Sequence, residues 1–271
     1  DVRQVGQELS ARYVLEGSAR KAGDALRVTG QLLDAIDGSH LWAETYDRNL
    51  SKTSVFEIQD ELSQSIASII GDLFGVLGQV LFEKLKQEDV ENLDSEQSIA
   101  FVNAYYRTMD PELHLRAREV IERAAERDTE NGNVWAMVAH ICADEFAFGF
   151  NSLPDSLDRA LEASQKAVEL EPNSDRTHAA LAKVNFFRGN ISKALSESER
   201  ALKISPNSAS RLCQHAYYLT LSGDWVQGLE FFEKALKIKD PVAAWFWHPI
   251  FLIEYRHGRY GDALQTIHKN G

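Results

Sequence analysis

Residues 175–208 read DRTHAALAKVNFFRGNISKALSESERALKISPNS, and this stretch decides the fold. It divides into two helical halves at Arg188-Gly189-Asn190. In the second half Ala194 and Ala201 stand seven residues apart on one face, and Pro206 stops the helix. A shift of 34 residues returns the same skeleton: Gly223 for Gly189, Trp225 for Ile191, Gly228 for Ala194, Ala235 for Ala201 and Leu236 for Leu202. Asp240-Pro241 closes that copy one residue late. A fixed period between about 20 and 50 residues marks a solenoid of repeated units. The small residues have a physical reason. Antiparallel helices joined by a tight turn approach closely only where a side chain is hydrogen or methyl, and overpacking such a site costs about 1–3 kcal/mol.

Working outward, the pairs Ala117/Ala124 and Ala160/Ala167 place two further copies upstream, and a partial copy follows with Trp247, Gly258, Tyr260 and Ala263. The expected repeats run over 98–131, 132–174, 175–208, 209–243 and 244–271. The period, the turn glycines and the helix-B alanines resemble the tetratricopeptide (TPR) family. The resemblance implies an α–α superhelix of about four and a half repeats that binds extended peptides on the concave wall made by the first helix of each repeat. Matched residue by residue to the family's contact positions, the candidate partner-binding groove holds Tyr106, His140, Arg176, Lys183, Phe186, Tyr217, His248 and Tyr255, with Arg256 adjacent. The lysine-plus-asparagine clamp of some family members is not reproduced. An aromatic groove with a few cations (Arg176, Lys183, Arg256) suits an extended or acidic segment.

The second repeat carries about nine extra residues around Glu145–Pro154, in the segment EFAFGFNSLP. Such excursions tend to lie where partners bind; equally, Phe146, Phe148 and Phe150 can cover the adjacent repeat.

Upstream of the repeats the period changes from helical to alternating. Asp1–Leu9 reads as the tail of a helix, so the chain is expected to begin part-way through a domain. Tyr13–Arg20, Ala25–Ala35 and His40–Arg48 read as strands, with turns at Lys21-Ala22-Gly23-Asp24 and Asp37-Gly38, making a three-stranded antiparallel meander. The run from Tyr13 to Arg48, ending GSHLWAETYDR, resembles the latter half of the TolB-like amino-terminal domain, over residues 1–70. That resemblance implies a bacterial signalling protein in which a class III nucleotide cyclase domain or a winged-helix DNA-binding domain lies upstream. Val55 to Gln87 reads as one long helix with Gly71, Gly75 and Gly78 on one face, able to permit a close crossing between subunits or to mark a kink. The expected organisation is therefore mainly α: a partial α/β segment over 1–88, a polar linker over 89–97, and the TPR solenoid over 98–271.

Composition bounds the chemistry. The chain has 271 residues, 44% hydrophobic and 26% charged, with a net charge of −12, which argues against a nucleic-acid surface. The most apolar run, Ile66–Phe82, contains Asp72, Gln79 and three glycines and falls short of a membrane-spanning helix. Cys142 and Cys213, 71 residues apart in apolar helical stretches, read as buried reduced thiols, which fits a cytoplasmic setting. No metal-binding, phosphate-loop, dinucleotide or nucleophile-elbow motif occurs, and the eight histidines show no i, i+4 pair. The chain is expected to be non-catalytic and without cofactor or metal, with a protein or peptide partner, no nucleic acid, no membrane, and a homodimer as the alternative use.

Overall fold

The structure is a computed structural model that describes residues 1–71, 76–85, 89–238 and 244–268. The chain forms two compact units, Asp1–Val80 and Leu81–Gly271.

In the first unit, helix α1 (Val2–Leu9) is capped by the Asp1 carboxylate, which accepts from the Arg3 amide. It leads into strands β1 (Tyr13–Ala22), β2 (Ala25–Asp34) and β3 (His40–Asn49). The strands pair antiparallel in the order β1-β2-β3, as the alternation predicts, with a register shift at Leu32/Leu33. One face presents Leu26, Val28, Trp42 and Tyr46 to Ile58, Leu62 and Ile66 of helix α2 (Val55–Gly71). Gly30 lets the Trp42 ring lie close, since a Cβ there would stand 3.1 Å from it. The other face is laced by cross-strand polar pairs: Arg27 bidentate on Asp47 (2.7 and 2.8 Å), Gln31 on Glu16, and Thr29 beside Thr45. Helix α3 (Val76–Leu85) follows. Gly75 of the expected glycine face, Gln87 at the expected helix end and the Asp240-Pro241 stop lie outside the described residues.

Leu81, Phe82 and Leu85 belong to the core of the second unit, where Phe82 meets Phe101 edge-on at 5.5 Å. The stretch expected as a polar linker contains a 3-10 turn (Val90–Asn92) and a buried Leu93, and Arg127 donates to the carbonyls of Glu91 and Leu93. Its polarity reflects an ordered turn whose carbonyls are satisfied by an arginine from the helix below.

Ten helices follow in antiparallel pairs: α4 (Ser95–Thr108) with α5 (Pro111–Arg127), α6 (Gly132–Phe148) with α7 (Ser156–Leu170), α8 (Asp175–Phe187) with α9 (Ile191–Ile204), α10 (Ala209–Ser222) with α11 (Trp225–Ile238), and α12 (His248–Arg256) with α13 (Tyr260–His268). Their starts follow local chemistry. Asp94 forms a capping box with Gln97, Asp110 caps α5 ahead of Pro111, and Asn131 and Ser208 cap α6 and α10. Four of the turns place glycine at positive φ: Gly149 (68°), Gly189 (77°), Gly223 (104°) and Gly258 (72°). Ala117, Ala124, Ala160, Ala167, Ala194, Ala201, Ala235 and Ala263 all point into helix–helix contacts and are buried. At Gly228 a Cβ would stand 2.3 Å from Thr220 Oγ1, so that crossing admits only hydrogen. Large side chains fill the spaces between pairs. Phe101, Tyr105 and Phe232 are fully buried, and each phenylalanine contributes about 1.5–3 kcal/mol of transfer free energy. The second unit is a TPR-type superhelix preceded in sequence by a small sheet segment.

The last pair departs from the expected repeat. Ala244–Trp247 form a 3-10 turn, and α12 begins only at His248, with Pro249 in its first turn. Proline lacks the N–H that a helix interior needs, so it sits at the start and shortens the helix to nine residues.

Candidate functional site

The first helices of the repeats, α4, α6, α8 and α10, share one wall. Gln214 of α10 donates to the Ala179 carbonyl of α8 (3.3 Å), and Lys183 of α8 reaches the His140 carbonyl of α6 (3.4 Å). On this wall Tyr106, His140 and Lys183, brought together from three repeats, surround a residue that sequence reading passed over, Asp144. Its carboxylate is fully buried. It accepts from Tyr106 Oη at 2.6 Å and from Lys183 Nζ at 2.5 Å. Lys183 Nζ also lies 3.4 Å from Tyr106 Oη and 5.0 Å from that ring's centroid, and the Tyr106 and His140 rings meet edge-on at 6.1 Å. The charge expected of Lys183 as a groove cation is therefore directed at Asp144. A carboxylate in an apolar helix needs such partners, because burying it alone is prohibitively costly.

Electrostatics follow from this packing. Burial, then the Asp144 charge, pushes the Tyr106 phenol well above its ordinary value, so it stays a hydrogen-bond donor. Burial, then the charges of Lys183, Arg211 and Arg176, holds His140 well below its ordinary value, so it is neutral at pH 7. Arg176 is half-buried, and the carboxylates of Asp175, Glu96 and Glu171 act on its charge. Its neighbour Arg211 is buried and donates to Asp175 at 2.7 Å. Burial, then the Arg211 charge, lowers the Arg176 guanidinium from its ordinary value.

One turn along α8 from Lys183 the wall becomes aromatic. Phe186 stacks on Tyr218 (4.8 Å between centroids) and lies 5.9 Å from Tyr217, which in turn lies 6.3 Å from the His248 ring. Tyr218, absent from the expected set, is buried, and its hydroxyl accepts from Gln214 (3.0 Å). Six of the nine expected residues thus form a file: Tyr106, His140, Lys183, Phe186, Tyr217 and His248. Arg176 lies beside its His140–Lys183 end. The other two are elsewhere: Tyr255 packs with Phe251 and Tyr260, and Arg256 lies over the Trp225 ring at 4.4 Å.

The extra residues of the second repeat lengthen α6 by about one turn and form the loop after it. Glu145, fully buried, anchors this excursion. It accepts from Arg118 at 3.0 Å and from Arg159, and the Leu153 amide also donates to it. Asn151 ties the loop to the Pro111 carbonyl (2.7 Å). Phe150 stacks with Phe148 and packs near His114, whereas Phe146 and Phe148 remain 54% and 47% exposed, Phe146 beside Phe187 of the next repeat.

Among the described residues no cluster of three or more His, Cys, Asp or Glu could hold a metal, and no helix is long and apolar enough to cross a membrane. Cys142 and Cys213 are buried and form no disulfide.

No family model matches the chain. It is 32% identical over 187 residues to a protein of Rhizobium meliloti (strain 1021) named "Putative adenylate cyclase 3", the match covering 67% of this chain and 30% of the relative. The chain thus spans about a third of that protein's length. Among solved structures it is similar to a thermophilic TPR protein of Thermus thermophilus (16% identity, 65% of this chain and 89% of the other, TM-score 0.50). The crystal structure of the MamA protein also matches (17% identity, 65% and 89%, TM-score 0.39). The likeness to the Thermus protein concerns the fold alone.

Proposed function

We propose that this chain is a non-catalytic protein-interaction module whose A-helix wall holds an extended segment of a partner. The observation that carries the reading is the file of aromatic rings from Phe186 through Tyr217 to His248, with Arg176 beside the buried Lys183–Asp144 pair. Aromatic side chains offer area with little rotamer entropy to lose, and an arginine beside the file suits an acidic residue of the bound segment. Phe186→Ala combined with Tyr217→Ala tests it. Immobilised wild-type chain should retain a partner that the variant loses, with both giving the same circular dichroism. Retention of every bound protein by the folded variant overturns the reading.

The finer role follows the relative and the TolB-like resemblance. The module would be the regulatory part of a bacterial signalling protein, an adenylate or guanylate cyclase, working in the cytoplasm. The coding sequence upstream of Asp1 tests this: a class III cyclase domain supports it, and a winged-helix domain makes the chain part of a transcription regulator instead. A second use, as a dimeriser, is favoured by exposed apolar residues of the first unit, Phe56 (78%) and Leu15 (51%). Light scattering giving the monomer mass at tens of micromolar removes it.

A further inference from the structure

A second recognition surface lies away from the aromatic file, in a cleft of about 550 Å³ between α11 and α12, where the α10–α11 turn closes one end. Its floor is apolar, from Leu229 and the buried Ile253; Trp225 forms a wall, and Val226, 71% exposed, forms the lip. Three carboxylates line it, those of Asp224, Glu230 and Glu233, against one guanidinium, that of Arg256. Asp224 is engaged in accepting from the Gln227 amide at the start of α11 (3.2 Å). Glu230 and Glu233 stand three residues apart on one helical face, exposed, and among the described residues neither has an ion-pair partner. His257 donates through Nδ1 to the Ile253 carbonyl (2.8 Å), which fixes its ring at the edge of the floor.

The chain's own Arg256 shows what this chemistry accepts: a guanidinium over the Trp225 ring, 4.4 Å from its centroid. Further along α11 the same cleft offers the carboxylates of Glu230 and Glu233 beside the apolar side chains of Val226 and Leu229. We propose that the cleft seats a basic side chain with apolar neighbours from a protein partner. The stem of that Lys or Arg lies on Leu229 and Val226, and its charged head meets Glu230 and Glu233. This surface is independent of the A-helix wall, so the module can hold one partner at two places or two partners at once.

The test uses the full chain with the tripeptide acetyl-Leu-Arg-Leu-amide, followed by the indole N–H resonance of Trp225, with acetyl-Leu-Gln-Leu-amide as control. The expected result is a saturable shift with the Arg peptide and at least about ten-fold weaker binding of the Gln peptide. Glu230→Gln/Glu233→Gln should weaken the Arg peptide about five-fold or more. Glu162→Gln/Glu169→Gln, which removes the same charge from α7, should change it less than about two-fold. Val226→Ser, at the exposed lip, should weaken binding without altering the preference for Arg over Gln. Absence of a saturable shift, equal response to the two peptides, or equal losses in the two double variants overturns the proposal. The last outcome would reduce the effect to attraction by the chain's overall negative charge.

Discussion

Replacing Asp144 by leucine should be among the costliest single changes on the A-helix wall. Its carboxylate is fully buried and accepts two hydrogen bonds, one from a lysine that is itself 13% exposed. Removing the acid strands the ammonium of Lys183 and leaves Tyr106 Oη without its acceptor. Breaking one side of a buried pair costs about 3–5 kcal/mol, and an orphaned hydroxyl about 1–3 kcal/mol. The two overlap, so about 4 kcal/mol is the expectation for Asp144→Leu, and a similar loss for Lys183→Met. In Asp144→Leu/Lys183→Met both charges are gone and the space is apolar, so most of the loss should return, with a coupling energy of about 2–4 kcal/mol. Urea titration followed by far-UV circular dichroism at pH 7 measures all three. Single variants that each cost under about 1 kcal/mol, or a double variant equal to the sum of the singles, would refute the argument.

Gly228→Ala should destabilise by up to about 2 kcal/mol, the net of an overpacking cost of about 1–3 kcal/mol against Thr220 Oγ1 and a helix-propensity gain of about 1 kcal/mol; Thr220→Ala in the same chain should return part of the overpacking cost in the same titration. Burial pushes the Cys142 thiol up to about 12, so at pH 8 a disulfide reagent should leave it unmodified in the folded protein and label it in 6 M guanidinium. Burial lowers His114, His140 and His215 below their ordinary values, so the unfolded chain binds more protons than the folded one just below pH 6.5. Stability should therefore be full above that pH and fall as pH drops through it, by at most about 1.4 kcal/mol per unit for each histidine, and His140→Gln should flatten the profile.

The superhelix could be read before any coordinates, because alanine at fixed spacing between a glycine turn and a proline stop leaves few alternatives. The sheet was as legible: alternation gave each strand to within two residues, and the turn glycines gave its hairpins. What stayed hidden depends on who faces whom across the repeats. Asp144 and Glu145 look like surface charges, although two acids within the apolar run from Val134 to Phe148 were a sign that buried cations had to be near. Lys183 looked free because its partner is 39 residues earlier. Arg256 stood one residue from a groove position, and a single residue turns a helical side chain by about 100°, enough to carry it to the outer cleft. Pro249, in the first turn of α12, holds that helix to a start at His248 against the regular period.

The three-way meeting of Tyr106, Asp144 and Lys183 has a consequence for how the array comes apart. In a stack of repeats each unit ordinarily touches only the ones beside it, and ends peel away one by one. Here a side chain of the first repeat lies 3.4 Å from one of the third, so the opening nearest the amino terminus cannot stop between them. Amide hydrogens of α4, α6 and α8 should exchange together as one block, while those of α12 and α13 are released at lower free energy.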